Sequence, residues 1–118
     1  MTGHVRVLLY ASSPKAEPDA VHDIYHQVSQ RLAGTPGLLK SELLQDVSDA
    51  CDFVIMSEWS SLTAFRTWDD GPDHTSATAP LRPYHNHHGG YGRAFGIYQV
   101  TAEYRALAPA EDDEPCGT

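Results

Sequence analysis

Two hydrophobic rhythms alternate along the chain. HVRVLLYA (4–11) is dense in β-branched and aromatic side chains and predicts a strand. After the connection SSPKAEPD, residues Val21, Ile24, Tyr25, Val28 and Leu32 recur at helical spacing, which predicts an amphipathic helix over 19–33. Asp19 stands where a helix cap is needed, with His22 rather than the glutamate of a capping box at the fourth place. Gly34 in GTPG follows the helix end. LLKSELLQDV (38–47) and FVIMSEWS (53–60) predict a second and a third strand, joined through the turn SDACD as an antiparallel hairpin. Ser60 or Ser61 caps a second helix, whose apolar side carries Leu62, Ala64, Phe65 and Trp68. Gly71-Pro72 interrupts it. A short helical piece is predicted over 73–81, with His74, Ala77, Thr78 and Leu81 on one face. AFGIYQVTAEY (94–104) is the last strand.

The order β-α-β-β-α-β predicts an α+β, ferredoxin-like βαββαβ fold: an antiparallel sheet with two helices on one face. The other face carries alternate residues of the strands, a set such as Leu44, Val54, Met56 and Val100 or the opposite parity. One parity is too apolar for water, so pairing of two sheets in a homodimer is expected. Residues 1–105 form the predicted domain. The acidic 106–118 segment has little bulky apolar content and is expected to be a disordered tail.

Composition narrows the functions. Eight Lys+Arg against sixteen Asp+Glu give a net charge of −8, which argues against nucleic acid or an anionic membrane surface as a partner. The start MTGHVRVLLYASSPK lacks the basic leader of a signal peptide, and no stretch approaches the roughly 20 apolar residues of a membrane span, so a cytoplasmic protein is expected. Cys51 and Cys116 lie in polar contexts and read as free thiols rather than a disulfide or a nucleophile. There is no GxSxG elbow and no GxGxxG dinucleotide loop.

FVIMSEWSSLTAFRTW followed by GPDHTSATAPLRPY resembles the antibiotic biosynthesis monooxygenase family of the dimeric α+β barrel superfamily. The HVRVLLYA start, the PGLL lead into the second strand and the closing strand are similar too, so the resemblance covers about 4–104. It implies an antiparallel sheet closing a dimeric α+β barrel. It also implies a range of chemistries: cofactor-free oxygenases of aromatic polyketides, quinol monooxygenases and haem-degrading enzymes. The haem-degrading branch pairs an Asn on the first strand with a Trp in the second helix and a His beyond it. Trp68 matches that Trp, but HVRVLLYA has no Asn, and the position ten residues beyond Trp68 is Thr78, with His74 only a displaced alternative. The anthrone-oxidising branch places an Asn before the strand-end Trp and a Tyr after it. Trp59 matches that Trp, while the other two positions are Ile55 and Phe65. A phenol oxidase built on this chain takes its polar groups from elsewhere.

The stretch RPYHNHHGGYGRAF (82–95) is the obvious source, with His85, His87 and His88 close together. Three imidazoles on one loop diverge, and the nearest acids in sequence, Asp73 and Glu103, are distant, so a metal centre is not expected there. His22 and His26 have the i, i+4 spacing of a metal pair but flank the apolar stripe, where solvent exposure is the simpler reading. Histidine titrates near neutrality and so suits a general base that takes a phenolic or anthrone proton. The candidate base is His74, His85, His87 or His88, each set against a plain core-edge or loop role. Arg82, Tyr84 or Arg93 is the candidate oxyanion partner. Trp59, Trp68, Phe65, Tyr98 and Tyr10, with Tyr84 and Tyr91, are candidate pocket walls, set against core packing.

The expected function is a homodimeric, cofactor-independent monooxygenase. It would oxidise a polycyclic aromatic or phenolic intermediate of secondary metabolism with O₂, without haem, metal or flavin. A polyketide cyclase using the same histidine chemistry, and a ligand-binding accessory dimer without activity, are the alternatives. Oxygen uptake separates the first from the second, and alanine replacement of the histidines separates both from the third.

Overall fold

A computed structural model describes residues 3–71, 79–86 and 95–106. Four strands, β1 (Val5–Ser12), β2 (Leu38–Asp46), β3 (Asp49–Trp59) and β4 (Phe95–Gln99), pair antiparallel in the order β2-β3-β1-β4. Helices α1 (Ala20–Leu32) and α2 (Leu62–Asp69) and a 3-10 helix (Ala79–Tyr84) complete the described elements. This is the ferredoxin-like α+β arrangement that the element order predicts.

Register decides the faces. Val5, Val7, Leu9 and Ala11 stand opposite Trp59, Ser57, Ile55 and Phe53, and Leu9 opposite Phe95. These odd positions form the helix-covered face, where Val5, Val7 and Trp59 pack with Phe65, and Ala11 and Phe53 with Val21. Even positions form the open face: Leu8, Tyr10, Val54, Leu44, Tyr98 and the buried Met56, together with the charged Arg6, Glu42 and Glu58. Leu44 and Tyr98 are nearly half exposed there, at 45% and 47%. Part of the apolar face expected from the strand pattern is therefore present: Leu44 and Val54 sit together beside the buried Met56, among charged neighbours, while Val100 lies past the end of β4.

Local chemistry differs from the sequence expectation in three places. Asp19 occupies the N-cap position of α1, but its side chain makes no capping bond. The buried hydroxyl of Ser13 instead accepts from the Val21 N–H at 3.0 Å, so a residue from the end of β1 satisfies the helix start. The hairpin turn is tighter than SDACD: only Val47 and Ser48 lie outside the strands, and Cys51 is within β3. The last strand stops at Gln99 rather than 104. Ser61 caps α2 as expected, accepting from the Ala64 N–H at 3.1 Å. Gly37 is required twice over: its φ is +85°, and a Cβ there would run into the Ala64 side chain. The predicted helical piece 73–81 falls mostly outside the described residues, and the tail beyond 106 wholly so.

Candidate functional site

Because α1, α2 and the 3-10 helix lean on the odd face without filling it, a cavity of about 380 Å³ remains between them. Its floor is Val7 and Leu9 of β1, Ser41 of β2, Ile55, Ser57 and Trp59 of β3, and Phe95 of β4. Val28 and Leu32 of α1 close one side. Phe65, Trp68 and Asp69 of α2 close another, and Leu81, Arg82 and His85 complete the wall. The lining is mainly apolar, with a few polar groups converging on it, as in a small-molecule site.

The aromatic part is rigid. Trp59, only 1% exposed, has its ring centre 5.4 Å from that of Phe65 and 5.3 Å from that of Trp68. Its indole N–H donates to Ser57 Oγ at 3.0 Å, so the ring is fixed at both ends. Trp59, Trp68 and Phe65 thus serve the core and the cavity at once, and the two readings weighed for them are not exclusive.

His85 reaches the cavity because the chain after the 3-10 helix is stitched to β1. His85 forms an isolated bridge with Ala11, and its N–H donates to the Arg82 carbonyl at 3.3 Å. The Asn86 N–H donates to the Tyr10 carbonyl at 2.8 Å. Asn86 Nδ2 donates to Ser12 Oγ at 3.0 Å, and that hydroxyl donates to Asp52 Oδ1 at 2.6 Å. A relay Asn86–Ser12–Asp52 therefore anchors the residue next to His85 to the central strands. Arg82, exposed, sits at the rim of the same cavity, and Asp69 faces it from the end of α2.

The other expected site residues are placed differently. Tyr10 stands opposite Val54, and Tyr98 opposite Arg6, both on the open face, so neither is a wall of this cavity. Tyr84 packs against the Ala11–Val21–Phe53 cluster instead of lining the cavity. His74, His87, His88, Tyr91 and Arg93 lie outside the described residues. His22 and His26 are exposed on α1, with ring centres 4.7 Å apart, beside a separate groove against the β2–β3 hairpin. Among the described residues no three His, Cys, Asp or Glu side chains gather into a metal-holding group. Ser41, Ser57 and Asp69 were not singled out from the sequence. Ser57 was within reach of strand parity, because it lies two residues before Trp59 and therefore on the same face.

The sequence profile of the antibiotic biosynthesis monooxygenase family matches residues 4–79, more than half of the chain. Protein SchA of Streptomyces halstedii is 32% identical over 106 residues, which cover 90% of this chain and 27% of SchA. A 42.8 kDa protein of the whiE locus of Streptomyces coelicolor is 27% identical over 77 residues, 65% of this chain and 19% of that protein. The chain thus spans about a quarter or less of these curated relatives. Among solved structures, SnoaB from Streptomyces nogalater, a cofactor-independent oxygenase, superposes with a TM-score of 0.65 at 17% identity, covering 92% of this chain and 99% of SnoaB. At that identity the likeness is one of fold.

Proposed function

The chain belongs to the antibiotic biosynthesis monooxygenase family, and from that premise we propose that it is a cofactor-independent oxygenase acting on a polycyclic phenol or anthrone-type carbon acid. Membership supports an oxidoreductase-type enzyme at the level of the family. The finer reading is carried by one observation: His85 and Arg82 meet Trp59, Phe65 and Trp68 around a single cavity of about 380 Å³. That SnoaB, a cofactor-independent oxygenase, has this fold supports the absence of a resident cofactor.

His85 takes the proton from the substrate carbon, which leaves an electron-rich anion. The Arg82 guanidinium at the rim holds the oxygen on which that charge is delocalised. The anion gives an electron to O₂, and the radical pair combines as a C–O bond. The peroxide regains the proton from the His85 imidazolium. Its O–O bond then breaks as the remaining C–H proton leaves, giving a ketone and water. One oxygen atom ends in the product and one in water, and no external reductant is consumed. The aromatic wall keeps bulk water from the intermediates.

The enzyme acts as a homodimer in this reading. The exposed Leu44 and Tyr98, with Leu8 and Val54 on the same face, form apolar patches between charged residues that a second copy covers. Among the described residues no helix is long and apolar enough to cross a membrane. The test is turnover of an anthrone by His85→Ala. We expect a loss of at least a hundredfold in kcat, the usual scale for a general base, partly restored by added imidazole. Full activity in that variant would remove His85 from the chemistry.

A further inference from the structure

The proposed chemistry uses one end of the cavity and leaves the other unexplained. At that end Ser41 of β2 and Ser57 of β3 stand directly opposite each other on the cavity floor. Both lie on the helix-covered face, in a row where an apolar residue would pack more simply. Ser57 Oγ accepts from the Trp59 indole N–H, and its own hydroxyl proton has no acceptor among the described residues. Ser41 Oγ and Tyr25 OH lie 3.1 Å apart, and since only one of them donates, that pair also keeps a spare O–H. Two donors are thus held on a floor that is otherwise apolar, where an oxygen of a bound ligand can accept from them.

Register gives the distance to the reacting end. Ser57 is opposite Val7, whereas His85 bridges Ala11 on the far edge of β1. The separation is four residues along β1 and two strand spacings across it, about 16 Å between backbones from strand rise and spacing. A multi-ring ligand can touch both ends of that span, and a single-ring phenol cannot.

We propose that Ser41 and Ser57 form a second polar end of the cavity, which selects multi-ring substrates carrying a hydroxyl or carbonyl oxygen remote from the oxidised carbon. The proposal rests on this cavity being the substrate site. Tyr25 and Trp59 are positioning residues for the two hydroxyls.

The chain's two tryptophans, Trp59 and Trp68, both line the cavity, so their fluorescence reports its occupancy. The probes are 2,6-dihydroxyanthraquinone, with a hydroxyl at each end of its long axis, and 2-hydroxyanthraquinone, with one. Wild-type protein is expected to bind the dihydroxy compound roughly fivefold more tightly, the worth of one added hydrogen bond. The Ser41→Ala/Ser57→Ala double variant should bind the two equally, and Ser57→Thr should keep the preference. Ser41→Ala alone leaves the Trp59 hydrogen bond intact and should lose part of the preference even if the double variant does not fold. Equal binding by wild type, or a preference that survives both the double variant and Ser41→Ala, overturns the proposal. Neither quinone is oxidised in this assay, so the outcomes separate. Discrimination without O₂ uptake from an anthrone keeps the polar end and refutes the oxygenase. Uptake without discrimination does the reverse.

Discussion

Asn86 offers a way to separate holding the proposed base from holding the fold. Its Nδ2 donates to Ser12 Oγ at 3.0 Å, while its backbone N–H donates separately to the Tyr10 carbonyl. Asn86→Ala removes the first bond and leaves the second. Ser12 still donates to Asp52, so its hydroxyl proton keeps a partner and only the Oγ lone pair loses its donor. The net loss of a half-buried hydrogen bond is about 1 kcal/mol, which lowers Tm by about 4 °C in a domain of this size. If that bond holds the neighbouring His85 over the cavity, the same 1 kcal/mol reduces the population of correctly placed imidazole by a factor of about five. The expected result is a fall of about fivefold in kcat with KM little changed. In a His85→Ala background the same substitution should still lower Tm but change the residual rate no further, because the group it positions is gone. A lowered Tm with unchanged kcat would refute the reasoning, and so would a rate loss that persists without His85.

Three further outcomes follow from packing. Gly37→Ala places a Cβ at φ +85° against Ala64 and should cost roughly 1–3 kcal/mol, read as a lower urea midpoint at constant m-value. Phe65→Leu removes the edge-on contact with Trp59 at 5.4 Å and should cost about 1 kcal/mol beyond the lost area, with a red-shifted tryptophan emission as water enters the cavity. Leu44→Glu adds a charge at an exposed apolar position of the open face and should convert the proposed dimer to monomers in sedimentation; wild-type protein sedimenting as a monomer would defeat the sheet-to-sheet assembly.

Period and punctuation made the elements legible. Val21, Val28 and Leu32 mark α1, the β-branched run marks β1, and the Leu38–Trp59 hairpin follows from two apolar runs with a short link. What the pattern leaves open is register. A strand's two faces exchange on a shift of one residue, so Tyr10 and Tyr98 were as eligible for the cavity as Leu9 and Phe95 until the pairing was known. The lining of the candidate site was legible by residue type but not by assembly. The histidine-rich stretch drew attention to His85, yet its approach to the cavity depends on a bridge to Ala11, 74 positions earlier in the case of the adjoining Asn86–Ser12 bond. No local spacing encodes a contact over that separation. Tyr84 shows the converse: beside a candidate base in sequence, it turns into the core next to Val21 and Phe53. The helix start shows a smaller version of the same effect, with Ser13 supplying the acceptor that Asp19 was positioned to give.

The central claim is that this protein oxidises its substrate with O₂ using only its own side chains. The direct measurement is turnover of an anthrone under ¹⁸O₂ by chelator-treated, flavin-free protein. The account predicts one labelled oxygen in the quinone and one in water, with full activity after chelation. Turnover that needs added metal or reduced flavin, or a quinone without label, would contradict it.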